Sequence, residues 1–298
     1  MGLDTELVRL LLEARRSGVC FRESVTLGRQ HYFVGNNETR RFLDRFGIDP
    51  DKHPTLFSNE PPRYSEPFWE ALGVEKLETL DASDFEGATI VHDLNLPVPP
   101  QLVERFDVVC DAGTVEHVFN FPMAIKNCME MVRPGGHLLL FTTANNYFGH
   151  GFYQFSPELF FRVLSKANGY QVERMVAVEY GPFRRRYEVI DPEVIRKRVN
   201  LINGYPVLLF VQARRTEKVP LFRNTPQQSD YVAMWSEADG APGAPRGKPN
   251  SKSAIVGMKR FLVERLPRVA RFLEAFLYSS WNRDFSFRNG DAFRRSPD

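Results

Sequence analysis

The chain has 298 residues, and its 39 basic and 37 acidic side chains nearly cancel to a formal net charge of +2. That length fits one large α/β domain plus an appendage, or two modest domains, and the balanced charge offers no concentrated basic face for nucleic acid. Cys20, Cys110 and Cys128 are too few and too scattered for a disulfide framework or a zinc site, and no apolar run approaches the ~20 residues that cross a bilayer.

The acidic opening Met1-Gly2-Leu3-Asp4-Thr5-Glu6 argues against a secretory signal, so a reducing, cytoplasmic setting is expected. Leu7, Leu10, Leu11 and Ala14 have the spacing of an amphipathic helix that Gly18 ends. Ser24 to Leu27 reads as a first strand stopped by Gly28-Arg29-Gln30, and Asn37 to Phe46 as a second helix capped by Gly47. The proline-rich stretch from Asp49 to Pro67 predicts a long loop or lid. Leu77 to Leu80 is a second strand ending at Asp81, and Thr89 to His92 a third ending at Asp93. Val108 to Cys110 forms a fourth strand, which places Cys110 as a buried thiol. The strand stops at Asp111-Ala112-Gly113, and a helix-like run leads to the turn Arg133-Pro134-Gly135-Gly136. His137 to Thr143 is the fifth strand.

Ser156-Pro157-Glu158 opens another helix, ending near Gly169, with serine as cap and proline in the first turn. Val172 to Val178 and Val207 to Val211 read as the last two strands. The second of these has no helix-length crossover after it, as expected of an antiparallel strand at the sheet edge. Arg184-Arg185-Arg186 reads as a solvated loop, with contact to an acidic acceptor as its alternative. Composition shifts near Trp235. This divides the chain into a domain over 1–235, a Gly/Pro/Ser-rich linker over 236–253 and a basic helical segment over 254–298, kinked at Pro267. That helix would act as a lid, a membrane-surface contact, a self-association element or a packed appendage.

Strand, polar loop, helix, Pro-Gly-Gly turn and strand make a βαβ unit, and ligands in such sheets lie beyond the carboxyl ends of the strands. The pair Glu116-His117 after the fourth strand, with the Pro-Gly-Gly turn before the fifth, resembles class I S-adenosylmethionine-dependent methyltransferases over roughly Glu23 to Arg215. The resemblance implies an α/β fold: a Rossmann-like seven-strand mixed sheet with helices on both faces, here followed by a C-terminal helical appendage. It implies S-adenosyl-L-methionine as cofactor, with Asp81 at the ribose, Asp93 and Leu94 at the adenine, and Asp111, Ala112 and Gly113 near the reacting end. Asp81-Ala82-Ser83-Asp84 is equally good turn sequence. The family's acidic residue and Gly-x-Gly-x-Gly loop after the first strand are replaced by Thr26-Leu27-Gly28-Arg29-Gln30-His31. Gly28 keeps the sharp exit, and Arg29 is a candidate partner for the cofactor carboxylate.

A base is needed only if the acceptor must lose a proton, and His150 and His117 follow the right strands for it. Packing and loop-holding are their structural alternatives. The loop Asn145 to Phe155 is dense in amides and aromatics, and Asn145, Asn146, Tyr147, Tyr153 and Gln154 are the expected acceptor contacts. With no evident metal cluster, the reading is metal-independent methyl transfer to an oxygen or nitrogen of a small-molecule or sugar-like acceptor, without nucleic acid. A non-catalytic protein of the same fold is the alternative, on account of the altered glycine loop. A nicotinamide oxidoreductase is disfavoured by the missing Gly-x-Gly-x-x-Gly.

Overall fold

The computed structural model describes residues 2–58, 63–238 and 282–296, together with Val269 and Ser279. The linker and the helix expected over Ile255 to Phe276 fall almost wholly outside these. Helix α1 (Thr5–Arg16) buries Leu7, Leu10, Leu11 and Ala14 as their spacing requires. Asp4 caps it, its Oδ1 accepting from the Glu6 and Leu7 N–H groups at 3.0 Å each, which satisfies donors a helix leaves open. Arg15 and Arg16 occupy the last turn, where positive charge complements the helix dipole. Helix α2 (Asn36–Arg45) follows, and the proline-rich stretch then forms two 3₁₀ turns before α3 (Glu66–Ala71). The other α-helices bounded within the described residues are α4 (Phe121–Met131), α5 (Pro157–Val163), α6 (Pro192–Ile195) and α7 (Ser229–Ala238).

The strands are β1 (Gly2–Leu3), β2 (Glu23–Leu27), β3 (His31–Tyr32), β4 (Lys76–Asp81), β5 (Ile90–Val91) and β6 (Phe106–Asp111). After them come β7 (Val132–Thr143), β8 (Tyr170–Glu179), β9 (Arg185–Val189), β10 (Val207–Arg215) and β11 (Phe293–Arg295). β1 and β3 form a small parallel pair, and the other nine make one sheet in the order β5-β4-β2-β6-β7-β10-β8-β9-β11. The strands from β5 to β7 are parallel, whereas β10 is antiparallel to both β7 and β8. Alternate side chains feed two cores. Val108, Cys110, Leu139 and Phe141 face α1, α2 and α3, while Val109, Leu138 and Leu140 face α4 and α5. Strands covered on both faces read as unbroken apolar runs, which is why β6 and β7 were legible.

Several expectations need correction. The sheet has nine strands rather than seven, and β10 lies inside it, not at its edge. The basic run is no solvated loop: Arg185 and Arg186 open β9, and Arg186 is buried with its Nη1 2.9 Å from Glu13. The helix begun at Ser156 stops at Val163, and a 3₁₀ turn at Lys166–Asn168 carries the chain to Gly169. Residues 282–296, assigned to a helical appendage, instead pack on the domain. β11 pairs with β9, Ala292 and Phe293 join the core, and Phe287 stacks on Tyr187 at 4.0 Å between ring centroids. No helix among the described residues is long and apolar enough to cross a membrane.

Candidate active site

The order of strands reverses at β2 and β6: β4 and β5 wind out on one side, β7 on the other. A doubly wound sheet opens a crevice at such a point, outside the carboxyl ends of the strands. Here those ends are level, since Leu27 pairs with both Leu80 and Asp111, and Asp81 with Val91. Gly28 leaves β2 with φ +70°, and its N–H donates to the Leu80 carbonyl at 2.7 Å. The Thr114 hydroxyl donates to the Leu27 carbonyl at 2.9 Å, tying the loop after β6 to the end of β2. The His92 N–H donates to the Asp81 carbonyl at 2.8 Å. Gly28, Asp81 and Asp111-Ala112-Gly113 thus converge on one edge, as their positions in the sequence imply.

Asp81 is half-buried, and its Oδ1 accepts from the Ala82 N–H at 2.6 Å. Arg29 is engaged with the protein itself. Its Nε lies 2.6 Å from Glu66, its Nη1 donates to the Glu86 carbonyl at 3.0 Å, and its guanidinium covers the Tyr64 ring at 3.7 Å. It therefore fastens α3 to the loop after β4. Asp93 is exposed and turned to its own loop, accepting from the Asn95 N–H and side-chain amide, which hold its carboxyl below the usual range. Leu94 is buried in the core, and its carbonyl accepts from Asn127. Ala112 is buried, and Gly113 adopts φ +98°.

Asp111 is wholly buried. Its Oδ1 accepts from the Thr114 and Val115 N–H groups at 2.8 and 3.3 Å, and its Oδ2 has no partner. Burial, reinforced by the nearby Glu116 charge, pushes its pKa well above the ordinary carboxylate range. Glu116 is also buried and raised for the same first reason, with its Oε2 accepting from the Thr142 hydroxyl at 2.9 Å. Asp81 is thus the accessible carboxylate at these strand ends, whereas the unpartnered Asp111 Oδ2 is fully buried.

The amides of the loop after β7 mostly serve the protein. The Asn145 side chain donates to Asn203 and the Leu201 carbonyl, and that of Asn146 to Asn203 and the Tyr205 carbonyl. Gln154 accepts from the Tyr147 N–H within the loop, and the Tyr153 hydroxyl donates to the Phe119 carbonyl at 2.6 Å. Four of the five expected acceptor contacts are therefore loop-fixing groups, and Tyr147 remains, beside His150 at 5.7 Å between ring centroids. Phe119 and Phe152 meet edge to face at the rim, where Phe148 is 97% exposed.

His117 and His150 meet edge to face with centroids 4.9 Å apart. Burial, then the His150 charge, lowers the His117 pKa and favours its neutral form. The His150 Nε2 lies 3.7 Å from the Glu116 Oε1. One ligand atom from each of Glu116, His117 and His150 falls within 4.8 Å of the others. The expected absence of a metal cluster thus meets a trio that the fold assembles. Glu116 and Thr142 were not among the expected site residues; the pairing of Glu116 with His117 in sequence was the available signal.

No protein-family profile and no curated protein matches this sequence. Among solved structures, the chain is similar to a putative methyltransferase from Bacillus halodurans C-125 at 12% identity and a TM-score of 0.39, covering 72% of this chain and 100% of that one. It is similar to the N-methyltransferase NodS from Bradyrhizobium japonicum WM9 at 14% identity and a TM-score of 0.36, covering 71% and 96%. It is also similar to the trans-methyltransferase CalH, solved with SAH, at 12% identity and a TM-score of 0.37, covering 70% and 55%.

Proposed function

We propose that this chain is a class I methyltransferase that uses S-adenosyl-L-methionine to methylate an oxygen or nitrogen of a small-molecule or sugar-like acceptor. The observation that carries this reading is the level ending of the strands at the β2/β6 switch point, with Gly28, Asp81 and Asp111 at three adjoining strand ends. When bound, the cofactor supplies an electrophilic methyl group on a sulfonium centre, so the protein's work is mainly binding and alignment. Asp81 is assigned to the ribose hydroxyls. The Gly28 turn admits close approach of the ligand to the backbone, and the Asp111 loop closes the reacting end. His117, His150 and Tyr147 form the acceptor side, where an acceptor has to lose a proton as it gains the methyl group.

A second reading, a non-catalytic binding protein of the same fold, is favoured by Arg29, whose guanidinium is taken by Glu66 and Tyr64. Calorimetry with S-adenosylhomocysteine separates the two. The parent should bind, and Asp81→Ala should weaken binding by about 1.5–3 kcal/mol, the scale of a hydrogen bond to a charged group. An unchanged dissociation constant removes Asp81 from the site, and no binding by the parent favours the scaffold.

A further inference from the structure

Glu116 and His117 lie on the 3₁₀ turn Val115–His117 after β6, while His150 comes from the loop after β7. Hydrogen bonds hold the two loops against each other. The Phe152 and Tyr153 N–H groups both donate to the Glu116 carbonyl, at 2.8 and 3.2 Å. Gly151 makes that approach possible: it adopts φ +69°, and a Cβ there would lie 2.7 Å from the Glu116 carbonyl oxygen. The Thr143 hydroxyl anchors the far side of the loop on the Tyr153 carbonyl at 2.9 Å. His150 is therefore delivered beside Glu116 by backbone bonds, not by the contact of its ring.

We propose that Glu116, His117 and His150 bind a divalent first-row transition-metal ion. The donor set of two imidazoles and one carboxylate suits zinc, iron, manganese or cobalt, and three protein ligands leave positions for water or substrate. Glu116 is arranged as such a ligand should be. Its Oε2 is fixed by the Thr142 hydroxyl, while its Oε1 faces His150 at 3.7 Å. That separation exceeds a hydrogen bond, and metal–ligand bonds of ~2.0–2.2 Å require only modest closure of it. The two imidazoles are exposed, whereas the carboxylate is buried and held. Hydrogen-bonded outer partners of this kind orient a metal ligand.

On the methyltransferase reading, the open positions would hold an oxygen- or nitrogen-bearing acceptor at the edge of the cofactor crevice. The metal site itself does not depend on that reading. Full-length protein stripped with a chelator would be titrated with Co2+ and followed by its visible absorption, with Zn2+ as competitor. The expected result is one equivalent bound per chain and displaced by Zn2+. His117→Ala and His150→Ala should each weaken binding at least ~100-fold, beyond the loss typical of an outer partner. His92→Ala, outside the trio, should bind as the parent does. Both exposed histidines can be replaced without opening the core, and circular dichroism verifies the fold. Binding that depends on both histidines supports the site even in protein that fails to bind S-adenosylhomocysteine. Cofactor binding without Co2+ binding, or Co2+ binding indifferent to both substitutions, overturns it.

Discussion

Gly151 shows how one residue positions the rest of a site. Its φ of +69° lies where side chains are strained, and its Cα faces the Glu116 carbonyl at a distance no Cβ tolerates. Gly151→Ala should cost about 1–3 kcal/mol of stability, the scale of a residue held in a sparsely populated backbone region. It should also shift His150 from Glu116, so Co2+ affinity should fall in protein that remains folded. Chemical denaturation and the Co2+ titration measure the two effects separately. Parent-like values in both would mean that the loop has room the geometry denies it. The sequence disclosed the single residues unevenly. The places of Gly28 and Asp81 at strand ends were readable because each follows a short strand-like stretch, Ser24 to Leu27 and Leu77 to Leu80. Asn145 and Asn146 looked like ligand groups because nothing in their neighbourhood betrays Asn203, which occupies them from a distant loop. Glu116 and His150 come from separate strand ends, and only the fold makes them neighbours.

The elements are held by buried charge as well as by the two apolar cores. Glu13 of α1 accepts from Arg174 of β8 at 2.7 Å and Arg186 of β9 at 2.9 Å, and Arg174 also bonds Glu188 of β9 at 2.9 Å. Burial pushes the Glu13 carboxyl up, but hydrogen bonds from Arg174 and Arg186 and their charges outweigh it and hold the pKa below its ordinary value of 4.5. A carboxyl depressed on folding adds stability at pH values above its unfolded value. That share is lost as pH falls through the folded value. Glu13→Gln should therefore cost about 3 kcal/mol near neutral pH, since it leaves buried Arg186 and half-buried Arg174 short of a partner. The penalty should shrink below pH ~4.5, as the parent carboxyl protonates too. Thermal unfolding from pH 7 to pH 3 tests this, and a penalty constant across that range would refute the assignment. This clamp was invisible in the sequence, where Arg184-Arg185-Arg186 reads as a surface run. Strand β9 escaped notice for the same reason: three of its five residues are charged, and its burial comes from α1 and β11.

Over the whole molecule, the sheet depends on residues remote from the strand pattern of its first two-thirds. β6 and β7 announce themselves by continuous apolar sequence, whereas β11 is three residues whose role depends on meeting β9. Removal of residues 282–298 takes away Phe293, which is 5% exposed in the core, and uncovers Val189 and Tyr187. Loss of a buried phenylalanine alone costs about 3–5 kcal/mol. The truncated protein should accordingly unfold at markedly lower denaturant concentration than the full chain. A truncated chain as stable as the parent would place those residues outside the folded unit. S-adenosylhomocysteine affinity measured below the unfolding transition should change little, because the proposed site lies at β2 and β6, across β7, β10 and β8 from that edge.

The antiparallel insertion of β10 also dictates the order in which a ribosome can deliver this sheet. The β8–β9 hairpin reaches the parallel strands only through β10, yet it is synthesised first. As the nascent chain emerges, β5-β4-β2-β6-β7 can assemble, while the β8–β9 hairpin has no seat until residue 215 is out. At elongation rates of ~5–20 residues per second, that interval after β8 lasts roughly 2–7 s. Throughout it the outer edge of β7 presents unpaired backbone groups to any other strand. The molecule is most exposed to mispairing with its neighbours during those seconds of translation, before β10 arrives.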